Sequence, residues 1–163
     1  MNLRREPPSW IELDRIDWQI LQELQADGRI TNIELARRVG ISAPPCLRRV
    51  RALEKAGFII GYHARLNPKL LGFDVEGYAM VRLSSQSEND LDAFETLVRS
   101  WVYVRECALL SGDFDFILKC IAPDFQSFQN FIIRDLTAAP NVDHVRTALT
   151  MRKSKSEAGL PLD

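Results

Sequence analysis

The chain has 163 residues, 46% of them apolar, which suffices for one ordinary domain or two small ones with real cores and excludes a generally disordered protein. Its formal charge of −1 hides a division: residues 1–69 hold 12 basic and 8 acidic side chains, whereas residues 70–163 hold 9 and 14. A basic front half joined to an acidic back half suits a polyanion at one end and a different task at the other.

Residues 1–12, with Pro7-Pro8, read as a loose arm, either disordered or crossing to a partner subunit. Leu13–Ala26 reads as a helix: Asp14 can cap it, Asp17 favours the dipole of its first turn, and Leu13, Ile16, Ile20, Leu21 and Leu24 form its buried stripe. Trp18 lies off that stripe, as a surface aromatic or as a contact for the arm or a partner. Thr31–Val39 is a second, shorter helix with a Thr31/Glu34 capping box and inward Leu35 and Val39. Gly40-Ile41 turns the chain into a third helix, capped by Ser42 and started by Pro44-Pro45. Cys46, Val50 and Leu53 make its apolar back, Arg48, Arg49 and Arg51 its front, and Gly57 its stop. Two short helices joined by a glycine turn, the second of them basic, form a helix-turn-helix pattern.

Residues 29–69 hold nine basic side chains against two acidic ones. In such a motif the start of the second helix enters the DNA groove, so Ser42, Ala43, Pro45, Arg48 and Arg49 are the candidate contacts, with Arg51 on the same front. For Arg49, a structural ion pair with Asp17 is the competing role. Phe58–Leu66 alternates and turns at Gly61, as a wing hairpin would, which would carry Arg65 and Lys69 to phosphates. Cys46 is a small buried group or, alternatively, a redox switch on the reading helix.

From Gly72 the texture changes to a strand over Val75–Leu83, a turn at Ser84–Ser87 and a helix opened by Ser87/Asp90, with Leu91, Phe94, Leu97, Val98 and Trp101 on one side. A strand at Val104–Leu110, the turn Ser111-Gly112-Asp113, a strand through Phe114–Ile121, a helix with Phe125, Phe128, Ile132 and Leu136, and a last strand Val142–Met151 follow. This order is the split ferredoxin-like βαββαβ arrangement, so the fold class is α+β with an N-terminal winged helix-turn-helix. The domain boundaries are an arm at 1–12, a DNA-binding domain at 13–66, a linker at 67–73, a sensing and oligomerisation domain at 74–152 and a tail at 153–163. Both phases of the third strand are apolar, which leaves the uncovered sheet face in need of a partner, most simply a second copy. Gly112 permits close backbone approach, and Asp113 or Asp115 can hold an ammonium group; a plain hairpin turn is the competing reading.

Three widely spaced cysteines, Cys46, Cys107 and Cys120, make neither a disulfide framework nor a zinc site and fit a reducing compartment. The first eight residues have no apolar core behind their charges, and no apolar run approaches the roughly 18 residues that span a bilayer, so a soluble, cytoplasmic protein with no membrane partner is expected. His63 and His144 lack ligand-spaced neighbours, and no nucleophilic set or phosphate-cradling loop is present. No metal, cofactor or catalytic residue is therefore expected.

Several of these stretches carry a family likeness. Leu13-Asp14-x-x-Asp17-x-x-Ile20-Leu21, Glu34-Leu35-Ala36 followed by Val39-Gly40-Ile41-Ser42, Arg49-Val50-x-x-Leu53-Glu54-x-x-Gly57 and Ser111-Gly112-Asp113-Phe114-Asp115 together resemble the Lrp/AsnC, or feast/famine, transcription regulators over about residues 13–155. The resemblance implies a DNA-binding regulator of double-stranded DNA and a ferredoxin-like effector domain. It also implies homodimers that assemble further, into tetramers or octamers, and a small amino acid held between subunits. Carried over position by position, it points to Ser111, Gly112, Asp113, Asp115 and Thr147 as the effector site. The family's last strand often reads Thr-x-Thr; here it is Val145-Arg146-Thr147, one hydroxyl short. A small ferredoxin-like enzyme with an accessory helical domain, and a regulator with a lapsed effector site, are the alternative functions. The Leu160-Pro161-Leu162 ending resembles that of one subgroup and has no role implied by it.

Overall fold

A computed structural model describes residues 13–156 and 159–162; the expected arm at 1–12 lies outside them. The described chain divides into two compact units, one formed by residues up to Arg65 together with the tail from Lys155, the other by Leu66–Ser154.

The first unit is built on α1 (Arg15–Ala26), α2 (Asn32–Val39) and α3 (Ala43–Lys55). Asp14 caps α1 in a full capping box: its carboxylate accepts from the Asp17 N–H, and Asp17 answers to the Asp14 N–H. Thr31 caps α2 through the Glu34 N–H alone, because Glu34's own carboxylate is drawn to Arg37 and Arg38. The capping box expected there is thus half made. Ser42 stands at the N-cap of α3 but makes no side-chain cap bond. Both α2 and α3 end in paired hydrogen bonds around a glycine: Ile41 N–H to Ala36 C=O after α2, Phe58 N–H to Leu53 C=O after α3. Ile20, Leu35, Ala36, Val39, Cys46 and Leu53 are buried together, with Ile16, Leu24 and Val50 packed around them.

The expected wing is absent. Residues 58–66 form no strand. Phe58 and Ile59 instead pack onto the three-helix core, and the Tyr62 hydroxyl donates to Glu54 Oε1 at 3.0 Å, laying the chain along α3. An isolated two-stranded hairpin has marginal stability in water, and burying two large side chains outweighs it. Arg65, expected on that wing, instead donates to Ser156 Oγ at 2.9 Å.

The second unit holds β1 (Val75–Leu83), α4 (Glu88–Val98), β2 (Val104–Leu109), β3 (Phe116–Ala122), α5 (Phe125–Asn130, wound on as a π-helix through Phe131–Leu136) and β4 (Val142–Leu149). The sheet order is β2-β3-β1-β4, every neighbouring pair antiparallel, as the ferredoxin-like arrangement requires. Ala79, Val81, Leu83, Phe116, Leu118 and Cys120 line its helix-covered face beneath Phe94, Val98, Phe128, Phe131 and Leu136. The stripe differs from the periodic expectation in one respect: Phe125 is exposed and Phe131 buried. Phe131 and Leu136 are five residues apart, and the Thr137 N–H to Ile132 C=O bond at 2.8 Å gives the π-turn that puts both on one side. Trp101 lies beyond α4 but still joins the core, edge-on to Phe94 and Phe131. The opposite sheet face carries Tyr78, Met80, Ile117 and Ile121, each half-buried, with no helix of this unit over them.

Candidate functional site

The first candidate site is the outward flank of α3. Helical spacing aligns Pro44, Leu47, Arg48, Arg51 and Lys55, and all five are exposed. Ala43 and Pro45 are half-buried, so Pro44 and not Pro45 stands outward; Ser42 is exposed beside it. Asn32 Nδ2 donates to the Ala43 carbonyl at 2.8 Å, fastening the start of α3 to the start of α2.

The arginines of α2 and α3 fall into two sets. Arg37 and Arg38 both bind Glu34, at 2.6 and 2.9 Å, and Arg38 also reaches Glu23 at 2.8 Å. Arg49 turns back onto α1, with Nη1 2.7 Å from Asp14 and 2.8 Å from Asp17. Its competing structural role is therefore the one its geometry meets, and it is removed from the outward contacts. Arg48 and Arg51 have no ion pair among the described residues and remain available to an external anion. Leu47 is exposed on the same line, one turn before Arg51; as an apolar residue off the Cys46–Val50–Leu53 stripe it carries neither the buried pattern nor a charge that would mark it in the sequence.

Acid tests the internal pairs. Asp14 is held below its ordinary value of 3.8, first by the Asp17 N–H and then by Arg49. Glu34 is lowered to about 2, chiefly by its hydrogen bond from Arg37 and then by that from Arg38. Groups lowered in the folded chain stabilise it above their unfolded values, and that contribution is lost as pH falls through the folded ones. The melting temperature of the helical unit, followed by circular dichroism, is expected to hold near neutrality and to drop between about pH 4.5 and about pH 2. An unchanged midpoint across that window would contradict the pairs.

Cys46 sits on the inward side of α3, fully buried, and burial raises its thiol pKa. A protonated, enclosed thiol is an apolar filler and a poor redox switch.

The second candidate site is the β2–β3 turn. Ser111, Gly112 and Asp113 are exposed at its tip, and Gly112 has φ +143°, which favours glycine. Leu110 N–H to Asp115 C=O at 2.7 Å closes the hairpin. Asp115 differs from Asp113: its Oδ2 accepts from the Leu83 N–H at 2.6 Å and from Gln86 Nε2 at 3.4 Å, tying the start of β3 to the end of β1. Asp113 has no such bond among the described residues and is exposed. Phe114 stacks on His144 across the same end of the sheet, ring centroids 6.1 Å apart.

Thr147 is exposed on the outer strand β4, opposite Ala79. In the sheet order it stands two strands from β3 and two rows inward of the Phe116–Val81–Val145 row. With strands spaced by ~4.8 Å, the turn and Thr147 of one chain are separated by roughly 10 Å or more. A single chain therefore brings Ser111, Gly112, Asp113 and Asp115 together and leaves Thr147 apart. Among the described residues no cluster of His, Cys, Asp and Glu could hold a metal ion, and no helix is long and apolar enough to cross a membrane.

Known proteins share both halves of this layout. The winged helix-turn-helix DNA-binding family matches residues 13–60, and the Lrp/AsnC ligand binding domain matches residues 76–160. The leucine-responsive regulatory protein of Rhizobium meliloti (strain 1021) is 58% identical over 145 residues, covering 89% of this chain and 93% of that protein. That of Escherichia coli (strain K12) is 43% identical over 144 residues, covering 88% of each. Among solved structures, a transcriptional regulator from Neisseria meningitidis in complex with L-Met superposes with a TM-score of 0.89 at 33% identity, covering 93% of this chain and 98% of that one. An AsnC family transcriptional regulator from Agrobacterium tumefaciens gives a TM-score of 0.86 at 33% identity, covering 92% and 97%. A basic reading helix on a three-helix core, a ferredoxin-like sheet with its Gly-Asp turn, and identity running across both units have one account: the chain is a helix-turn-helix DNA-binding transcriptional regulator of the Lrp/AsnC family.

Proposed function

We propose that this regulator reads double-stranded DNA with the exposed flank of α3 and that a small amino acid, bound where two copies meet, alters how the reading helices are presented. The observation that carries the first part is the division of the arginines of α2 and α3: Arg48 and Arg51 have no ion pair among the described residues, whereas Arg37, Arg38 and Arg49 are neutralised internally. A guanidinium free of carboxylates can bind guanine N7 and O6 in a fork or a phosphate as a point charge. Ser42 and Ala43 flank the groove-entering end, and Leu47 offers an apolar contact of the kind that recognises a thymine methyl group. Arg65 is a lesser candidate, since Ser156 occupies it. The test is fluorescence anisotropy with the promoter region of the regulator's own gene: binding that weakens steeply with salt supports the reading, and no binding at low salt removes it.

The effector site is assigned to Ser111, Gly112 and Asp113 of one chain with Thr147 of another, because their separation within one chain calls for a second copy. Asp113 would hold the ammonium group and backbone N–H groups of the turn the carboxylate. The half-buried apolar residues Tyr78, Met80, Ile117 and Ile121 suit pairing of two sheets through a two-fold axis. Leucine and methionine are the first ligands to try, since relatives are named leucine-responsive and one structural neighbour is an L-Met complex. Calorimetry against the twenty amino acids decides it; heat with none of them returns the site to the lapsed alternative. No reaction is assigned to the chain, a reading supported by relatives named as regulatory proteins.

A further inference from the structure

The C-terminal tail returns to the first unit, and the manner of its return is specific. On α1, Trp18, Gln22 and Gln25 follow one another at steps of four and three, a line distinct from the core stripe. The side-chain amide of Gln25 takes both backbone groups of Leu160: its Oε1 accepts the Leu160 N–H at 2.8 Å, and its Nε2 donates to the Leu160 carbonyl at 2.7 Å. Gln22 Nε2 donates to the Leu162 carbonyl. Two glutamines three residues apart thus read alternate residues of an extended peptide, as a neighbouring β-strand would.

The tail's own sequence fits the seat. Pro161 biases Leu160 to extended backbone, which lowers the entropy lost on docking. Gly159 has φ +90°, which favours glycine, and a Cβ there would displace the Gln25 side-chain amide from its bonds to Leu160. Leu162 is half-buried, and Arg65 adds a bond to Ser156 upstream.

We infer that Gly159–Leu162 is a strap seated on the Gln22/Gln25 face of its own α1, and that its seating restrains the DNA-binding unit. The chain leaves this unit at Arg65, passes through the ligand-binding unit and re-enters at Lys155. While the strap is seated, the DNA-binding unit is tethered at two points of the chain; when the strap is released, it is tethered at one. A second tether lowers the entropy lost when two reading helices must engage two half-sites together. It leaves the affinity for a single half-site unchanged.

The full-length protein and a Gln22→Ala/Gln25→Ala variant test this. Alanine keeps the helix propensity of α1, and circular dichroism checks that the variant is folded. Trypsin cleavage after Lys155, followed by mass spectrometry, is expected to run about tenfold faster in the variant, as cleavage tracks the undocked fraction. Gly159→Ala is expected to behave likewise. Equal cleavage rates overturn the strap; protection that grows with protein concentration overturns seating on its own chain and assigns the tail to a second copy. The restraint has its own readout, which rests on the DNA reading: the variant should match the wild type on a single half-site and bind paired half-sites several-fold more weakly. Equal affinity on paired half-sites overturns the restraint, whereas failure of both proteins on all DNA would tell against the DNA reading and leave the cleavage result standing.

Discussion

Arg48→Ala is expected to lower affinity for the target DNA by about 1–3 kcal/mol, roughly 5- to 150-fold, without lowering the melting temperature. The exposed guanidinium makes no ion pair in the described chain, so its removal takes nothing from the fold. If it contacts a guanine, Arg48→Lys keeps the charge but loses the fork, and discrimination at one base pair relaxes. If it contacts only a phosphate, Lys restores most of the affinity, and Ala reduces the salt slope by about 1 on any sequence. Arg49→Ala is the contrast. It leaves Asp14 and Asp17 without their shared cation, and the expected loss of about 1–2 kcal/mol falls on stability. DNA binding then suffers only through the unfolded fraction and recovers on cooling. Anisotropy titrations and thermal melts of the two variants separate the roles, and an Arg49→Ala protein with wild-type stability and abolished binding would reverse the assignment.

The two acids of the Gly-Asp turn are expected to separate in the same way. Asp115→Ala removes the acceptor of the Leu83 N–H, leaving a partly buried donor unmatched at the junction of β1 and β3. The expected cost is about 1–3 kcal/mol of stability, read from chemical denaturation of the ligand-binding unit. Asp113→Ala loses no bond among the described residues and should leave the denaturation midpoint in place. Its effect is on ligand: where an amino acid raises the wild-type melting temperature, Asp113→Ala should reduce that shift. Should Asp113→Ala bind the same ligand with wild-type affinity, the ammonium is held elsewhere, and the turn is only a turn.

Much of this was written in local sequence. The caps at Asp14, Thr31 and Ser87, the glycine stops, the two-residue alternation of Val75–Leu83 and the three-and-four stripes of α1 and α3 depend on neighbours within a turn or a strand. Their positions could therefore be read directly, and with them the helix-turn-helix and the βαββαβ order. What depended on distant residues could not. The wing pattern of Phe58–Leu66 was sound by composition, but Phe58 and Ile59 found a core to bury in, and a hairpin has no comparable gain. Phe125, the first residue of α5, stays exposed, whereas the π-turn after it brings Phe131 and Leu136, five residues apart, to one side, a spacing that regular periodicity does not assume.

Charge shows the same limit. A run of arginines declares a basic surface, but which guanidinium is free depends on where the acids of other helices lie: Asp14 and Asp17 from α1 capture Arg49, and Glu34 captures Arg37 and Arg38. The tail is the extreme case, since Gln22 and Leu162 are 140 residues apart, and no local pattern could announce their bond. Sequence alone thus determined the elements, their order and the sign of the reading surface, because short-range sterics and periodicity fix them. The tertiary structure decided which charges stay free, which face stays open and where the chain's end is held, because those follow from competition among partners that only the folded chain brings within reach.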